Sequence, residues 1–162
     1  MIGSASGGRP ALERCDFSQL PHRDAFCALL KHYMEDPMGD YTPHTDAQEQ
    51  QLMDDLATHP TAAIYLLNVD GAYVGMATTF MNYSTFKRQP YLYLHDVVIH
   101  QAVRGQGWGK YLMKQLIKVA KEAGCCKISL EVRTDNPAAQ ATYQKMGFAA
   151  CTPTMMYWEK GL

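Results

Sequence analysis

The apolar positions of this chain change period several times, and each change marks an element. Within residues 24–34, Ala25, Phe26, Leu29, Leu30 and Tyr33 recur at helical spacing, and Pro37 with Gly39 ends the pattern. Residues 39–45 read as loop, and residues 46–57 as a more polar helix with Leu52, Met53 and Leu56 inward. Residues 61–69 and 72–83 read as strands joined at Asp70-Gly71, a hairpin signal because glycine accepts a positive φ there. Residues 90–100 are rich in Tyr, Leu, Val and Ile, the composition of a buried strand. A glycine-rich turn at 104–109 then leads into a helix reaching Ala123. Its expected inward stripe is Trp108, Leu112, Leu116, Val119 and Ala123, with Lys110, Lys114, Lys118 and Lys121 outward and Gly124 as the stop. Residues 127–133 read as a strand, 137–146 as a helix, and 147–158 as a last strand region.

This order is two helices, three strands, a helix, a strand, a helix and a final one or two strands. It predicts an α/β chain with a mixed sheet and helices on both faces. We expect a single domain over residues 11–162, preceded by a flexible Gly/Ser lead at 1–10. Of the 162 residues, 47% are apolar and 19% charged, which is a globular rather than a disordered balance. A net charge of −1 gives no electrostatic reason to expect nucleic acid or an anionic membrane as partner. No apolar run approaches the ~20 residues that span a bilayer. The five cysteines, Cys15, Cys27, Cys125, Cys126 and Cys151, are odd in number and lack framework spacing, so a reducing, cytoplasmic setting is expected. With no CxxC or HExxH pattern and scattered histidines, no metal site is expected.

Arg104-Gly105-Gln106-Gly107-Trp108-Gly109 sits between a predicted strand and a helix, where unpaired amides and the helix dipole favour an anion. Spacing excludes two familiar phosphate motifs. A GxGxxG fingerprint from Gly105 needs glycine where Lys110 stands, and a P-loop ending at Gly109-Lys110 needs Ser or Thr where Tyr111 stands. What remains is Arg-x-x-Gly-x-Gly, which fits either a phosphate cradle or a tight turn.

Arg104, Gly107 and Gly109 match the pyrophosphate signature of the GNAT superfamily of N-acetyltransferases, Gln/Arg-x-x-Gly-x-Gly/Ala. Asn136, Ala139, Tyr143, Gly147 and Phe148 match its second signature, Asn-x-x-Ala-x-x-x-Tyr before a Gly-Phe pair. The chain thus resembles that superfamily, firmly over residues 91–148. The resemblance implies a central mixed sheet of six to seven strands whose two central parallel strands splay beside a bound acetyl-CoA. It implies that the backbone of Val97, Val98 and Ile99 holds the pantetheine arm and that the turn from Arg104 through Gly105, Gln106, Gly107, Trp108 and Gly109 to Lys110 holds the pyrophosphate. It also implies that Asn136, Ala139 and Tyr143 approach the cofactor. The run before the turn, ending His95-Asp96, looks most like diamine acetyltransferases, which carry an acidic pair there. Replacing one carboxylate by His95 weakens the case for a polycation.

Acetyl transfer to nitrogen needs a neutral amine, a polarised carbonyl and a stabilised leaving thiolate. An alkylammonium of pKa ~10.4 is neutral about once in a few thousand at pH 7, a handicap of roughly 4–5 kcal/mol that a base helps offset. His95, with an ordinary pKa near ~6.5, is the candidate base; a satisfied core histidine fits the sequence as well. Tyr143 is the candidate proton donor to the thiol, against a plain core aromatic. Alternation places Asp96 on the opposite strand face from His95. Asp96, Glu131 and Glu35 are candidate acceptor contacts, although solvated acids would look the same. The loops at 37–43 and 84–89 are expected to shape the acceptor mouth. The expected protein is a cytoplasmic homodimer acetylating a small-molecule primary amine such as a polyamine or amino acid. A non-catalytic acyl-CoA-binding module and a peptide or protein N-acetyltransferase are the alternatives.

Overall fold

A computed structural model describes residues 9–162, so residues 1–8 of the expected lead lie outside the described residues. Two compact units are present, divided after Glu131.

The first unit carries a five-stranded sheet in the order β1-β2-β3-β4-β5. Strands β1 (Pro10–Arg14), β2 (Ala62–Val69), β3 (Ala72–Ser84) and β4 (Gln89–Ile99) pair antiparallel in sequence. Strand β5 (Ile128–Leu130) adds parallel to β4 after the crossover helix α3 (Trp108–Glu122). The β2–β3 turn takes Asp70 to φ 52° and Gly71 to φ 86°, as the Asp-Gly signal requires. Strand β1 is not among the elements the apolar pattern predicts, and Pro10 belongs to the expected lead. It has no β-branched residue, and its proline is tolerated because it opens an edge strand.

Helix α1 (Leu20–Glu35) starts four residues earlier than the apolar spacing indicates, with Pro21 in its first turn, where a missing N–H costs nothing. Helix α2 (Asp46–Thr58) opens on a capping box between Thr45 and Gln48. Phe26 and Leu29 of α1 and Met53 of α2 pack with Ile64, Leu66, Met76 and Val98 on one face of the sheet. The opposite face carries Ile99, and a Cβ added to Gly109 of α3 would lie 3.7 Å from its Cγ1. On α3 the buried positions are Leu112, Met113, Leu116 and Ala120, while Ala123 is exposed. The inward stripe is therefore rotated toward Met113 and Ala120 relative to the expected one. All four lysines face outward as expected.

The second unit, Val132–Leu162, contains α4 (Pro137–Lys145). The strand expected at 127–133 is only Ile128–Leu130, and none forms over 147–158. Among the described residues the sheet thus has five strands rather than six or seven. A strand exists only where a neighbouring edge receives its N–H and C=O groups, and local composition does not show whether that edge is offered.

Candidate active site

Three features of the first unit converge around the end of β4. The first is the turn before α3. Gly105 (φ 80°) and Gly107 (φ 91°, ψ −1°) take left-handed conformations that strain any side-chain-bearing residue. The earliest helical bond runs from the Tyr111 N–H to the Gly107 carbonyl at 3.0 Å. The amides of Trp108, Gly109 and Lys110 precede it, and Gly107 has no side chain with which to cap them. No acid lies in the first turn, and a Cβ at Gly105 or Gly107 would meet nothing within 4 Å. The Trp108 indole Nε1 is buried without a hydrogen-bond partner among the described residues. An uncapped, acid-free helix start under open glycine backbone fits a phosphate group.

Arg104 is committed elsewhere. Its Nε donates to the Ile99 carbonyl at 3.0 Å and its Nη2 to Asp36 Oδ2 at 2.7 Å, tying the turn to the ends of β4 and α1. A bond from the Met38 N–H, together with this guanidinium, holds the Asp36 carboxyl below the ordinary carboxylate range against the opposing effect of burial. His32 and His100 stack beside this bridge at 4.4 Å, and the Gln101 N–H donates to His32 Nε2 at 3.2 Å. Burial, His100 and Arg104 push His32 down.

The second feature is a bulge in the β3–β4 ladder. Thr78 pairs with Asp96 and Thr79 with Leu94, which leaves His95 as the extra residue. Strand β5 pairs with β4 only from Leu92 to Leu94, so among the described residues Val97, Val98 and Ile99 have β3 on one side and no strand on the other. Pairing on that side thus ends where β5 ends, rather than by two long parallel strands diverging, and backbone groups of β4 beside the turn are left without a strand partner among the described residues.

The third feature is a cavity of about 440 Å³ between α1, the α1–α2 loop, α2 and β3–β4. His95 and Asp96 both line it. The expectation that they face opposite ways is overturned, because the bulge breaks the two-residue alternation. The His95 ring lies edge-on to Phe80 at 5.8 Å and tilted to Tyr93 at 5.9 Å. Burial raises the Asp96 carboxyl, opposed by His95 and by a hydrogen bond with Thr78. The loop expected to shape the mouth contributes Gly39 and Tyr41, whereas residues 84–89 line none of it. Glu35 and Glu131 are exposed and outside the lining. Thr78, Phe80 and His44 were not singled out from sequence. Their relation to His95 and Asp96 depends on strand register and loop course, which no local pattern announces.

In the second unit, the Asn-x-x-Ala-x-x-x-Tyr…Gly-Phe pattern has a direct folding role. Asn136 is the N-cap of α4, its Oδ1 accepting from the Ala139 N–H at 3.1 Å. At the other end Gly147 (φ 88°) makes a Schellman motif. The Phe148 N–H reaches the Tyr143 carbonyl and the Gly147 N–H the Gln144 carbonyl, each at 3.0 Å. The half-buried Tyr143 ring packs on Phe148 at 5.8 Å, the apolar contact that accompanies such a cap.

The model of the acetyltransferase (GNAT) family matches residues 26–148, and the chain belongs to that family. It is 41% identical over 56 residues to a probable glucosamine 6-phosphate N-acetyltransferase 2 of Oryza sativa subsp. japonica, covering 35% of this chain and 32% of that protein. An aminoglycoside N(6')-acetyltransferase type 1 of Serratia marcescens is 26% identical over 151 residues, 91% of this chain and 97% of its own. Several curated relatives are matched over only 30–43% of their length. The fold is that of the aminoglycoside N-acetyltransferase AAC(6')-Iy solved with CoA, with a TM-score of 0.75 and 16% identity over 97% of this chain and 99% of that one.

Proposed function

We infer that the protein is an acetyl-CoA-dependent N-acetyltransferase that acetylates the amine of a small molecule by direct attack on the thioester. The observation that carries this reading is the β4 bulge, which brings His95 and Asp96 into one cavity on the strand that runs into the glycine turn. Family membership and the CoA-bound neighbour support it.

Bound acetyl-CoA would supply an activated acetyl group whose carbonyl carbon accepts the nitrogen lone pair as the C–S bond gives way. The chain's own residues handle the rest. The amides at the start of α3 meet the pyrophosphate, with Lys110 adding positive charge nearby. The outward-facing N–H and C=O of Val97 and the N–H of Ile99 meet the pantetheine amides, while Val98 turns its backbone to β3 and keeps the strand in place. Asp96 holds the incoming ammonium, and His95 removes one of its protons to free the lone pair. The nitrogen gives its second proton to water as the amide forms, while Tyr143 gives its phenolic proton to the departing sulfur and regains one from water; His95 returns to neutral by releasing its proton to solvent, so one proton is set free per amide made. Arg104 is a positioning residue for the turn. A cytoplasmic homodimer belongs to the same reading, and sedimentation at micromolar concentration tests the assembly.

The test is thiol release from acetyl-CoA with a panel of amines. Turnover is expected in the wild type, and Tyr143→Phe should lower kcat by roughly 10²–10⁴ with little change in acetyl-CoA binding. A protein that binds no CoA and releases no thiol with any amine would refute the reading.

A further inference from the structure

The cavity at the bulge has a lopsided chemistry. Phe26, Tyr33, Tyr41 and Phe80 form much of its wall, with leucines between them, and among the described residues Asp96 is the one carboxylate in the lining. Other acids are spent or distant: Asp36 is held by Arg104 at 2.7 Å, and Glu35 and Glu131 are exposed outside the lining. A volume of about 440 Å³ lies within the range of ordinary small-ligand sites, roughly 300–1,000 Å³.

A polycation entering this space would surrender the hydration of several ammonium groups and find one carboxylate to meet them. A hydroxyl-rich amino sugar would set its polar edges against aromatic carbon. An apolar ring gains on both counts, because aromatic walls bury it and stack with it. Aromatic faces also favour a single cation nearby.

Resting on the acetyltransferase reading above, we propose that the acceptor is a monoamine with a compact apolar body, of the arylalkylamine class. Its ammonium sits on Asp96 and its ring lies against Phe80 and Tyr41. Raising of the Asp96 carboxyl by burial accords with a site that waits for one cation.

The test compares kcat/KM for thiol release from acetyl-CoA by the full chain with 2-phenylethylamine, n-butylamine, spermidine and kanamycin. The expected order puts 2-phenylethylamine first and n-butylamine second, with at least about a tenfold lead of the first over spermidine and kanamycin. Tyr41 is 68% exposed, so Tyr41→Ala leaves folding alone. It should cost about tenfold with 2-phenylethylamine and under about threefold with n-butylamine. Preference for spermidine or kanamycin, or equal losses for both monoamines in Tyr41→Ala, overturns the inference and leaves the acetyltransferase reading standing. So does calorimetry showing CoA bound while none of the four amines is acetylated. Absence of both CoA binding and thiol release removes the underlying reading and this one with it.

Discussion

Burial raises the Asp96 carboxyl above its ordinary range, and the charge of His95 and the hydrogen bond with Thr78 offset only part of that. A carboxyl raised in the folded state stabilises the fold fully below its unfolded value near 3.8. That stabilisation is lost as the pH rises through the folded value. At neutral pH the ionised group is therefore a cost to the fold, one that a cation bound beside it would offset. Asp96→Asn keeps the shape and a partner for Thr78 while removing the charge. It should raise the melting temperature at pH 7, where a gain of about 1 kcal/mol would appear as about 2–4 °C, and should lower kcat/KM for cationic amines. Calorimetric scans from pH 4 to pH 8 should show the advantage of the variant growing with pH. An equal or lower melting temperature at pH 7 would return Asp96 to an ordinary hydrogen-bonding role. His95 was legible from its chemistry and its place before the turn, whereas its partnership with Asp96 was not, because alternation along a regular strand separates neighbours.

At the scale of elements, the glycine turn before α3 and the capped helix α4 differ in what the fold itself asks of their residues. Gly107 occupies φ 91° with nothing within 4 Å of an added Cβ, so the free protein makes no steric demand for glycine there beyond its backbone. A valine would meet about 1–2 kcal/mol of conformational strain and would project a branched group over the amides of α3. Gly107→Val should weaken CoA at least about tenfold by titration calorimetry, with native circular dichroism. Gly71→Ala supplies the control, since Gly71 has a similar φ of 86° and open surroundings in the β2–β3 turn and should bind CoA normally. Equal CoA affinity in Gly107→Val and the wild type would remove the cradle. The second signature reads differently. Asn136, Gly147 and Phe148 are accounted for by the caps of α4, whereas Ala139 lends only a backbone N–H that any residue but proline would offer.

Across the whole molecule, polar ties between elements distant in sequence hold the first unit in register. Glu13 of β1 accepts from Asn68 of β2 and from the Tyr73 hydroxyl of β3, each at 2.9 Å, and meets His22 Nε2 of α1 at 3.3 Å. Burial raises its carboxyl, but these three bonds and His22 outweigh that and leave it below the ordinary value of 4.5. Its contribution is therefore complete above 4.5 and lost as the pH falls through the lowered folded value. Glu13→Gln cannot accept from all three donors. It should cost about 1 kcal/mol at pH 7, discounted for the third of the side chain left in solvent, and urea titrations should show the gap closing as the pH falls below 4.5. A gap independent of pH would assign the loss to packing. The existence and approximate place of the four α-helices, the Asp70-Gly71 hairpin and the glycine turn were determined by the sequence alone, because each rests on periodicity or on bonds between residues a few positions apart. Only the tertiary structure decided that Pro10–Arg14 pairs as an edge strand, that residues 147–158 find no edge, and that a bulge opposite Thr78 and Thr79 turns His95 and Asp96 into one cavity. Those outcomes depend on which distant backbone groups remain available to pair, and that quantity exists only once the sheet has assembled.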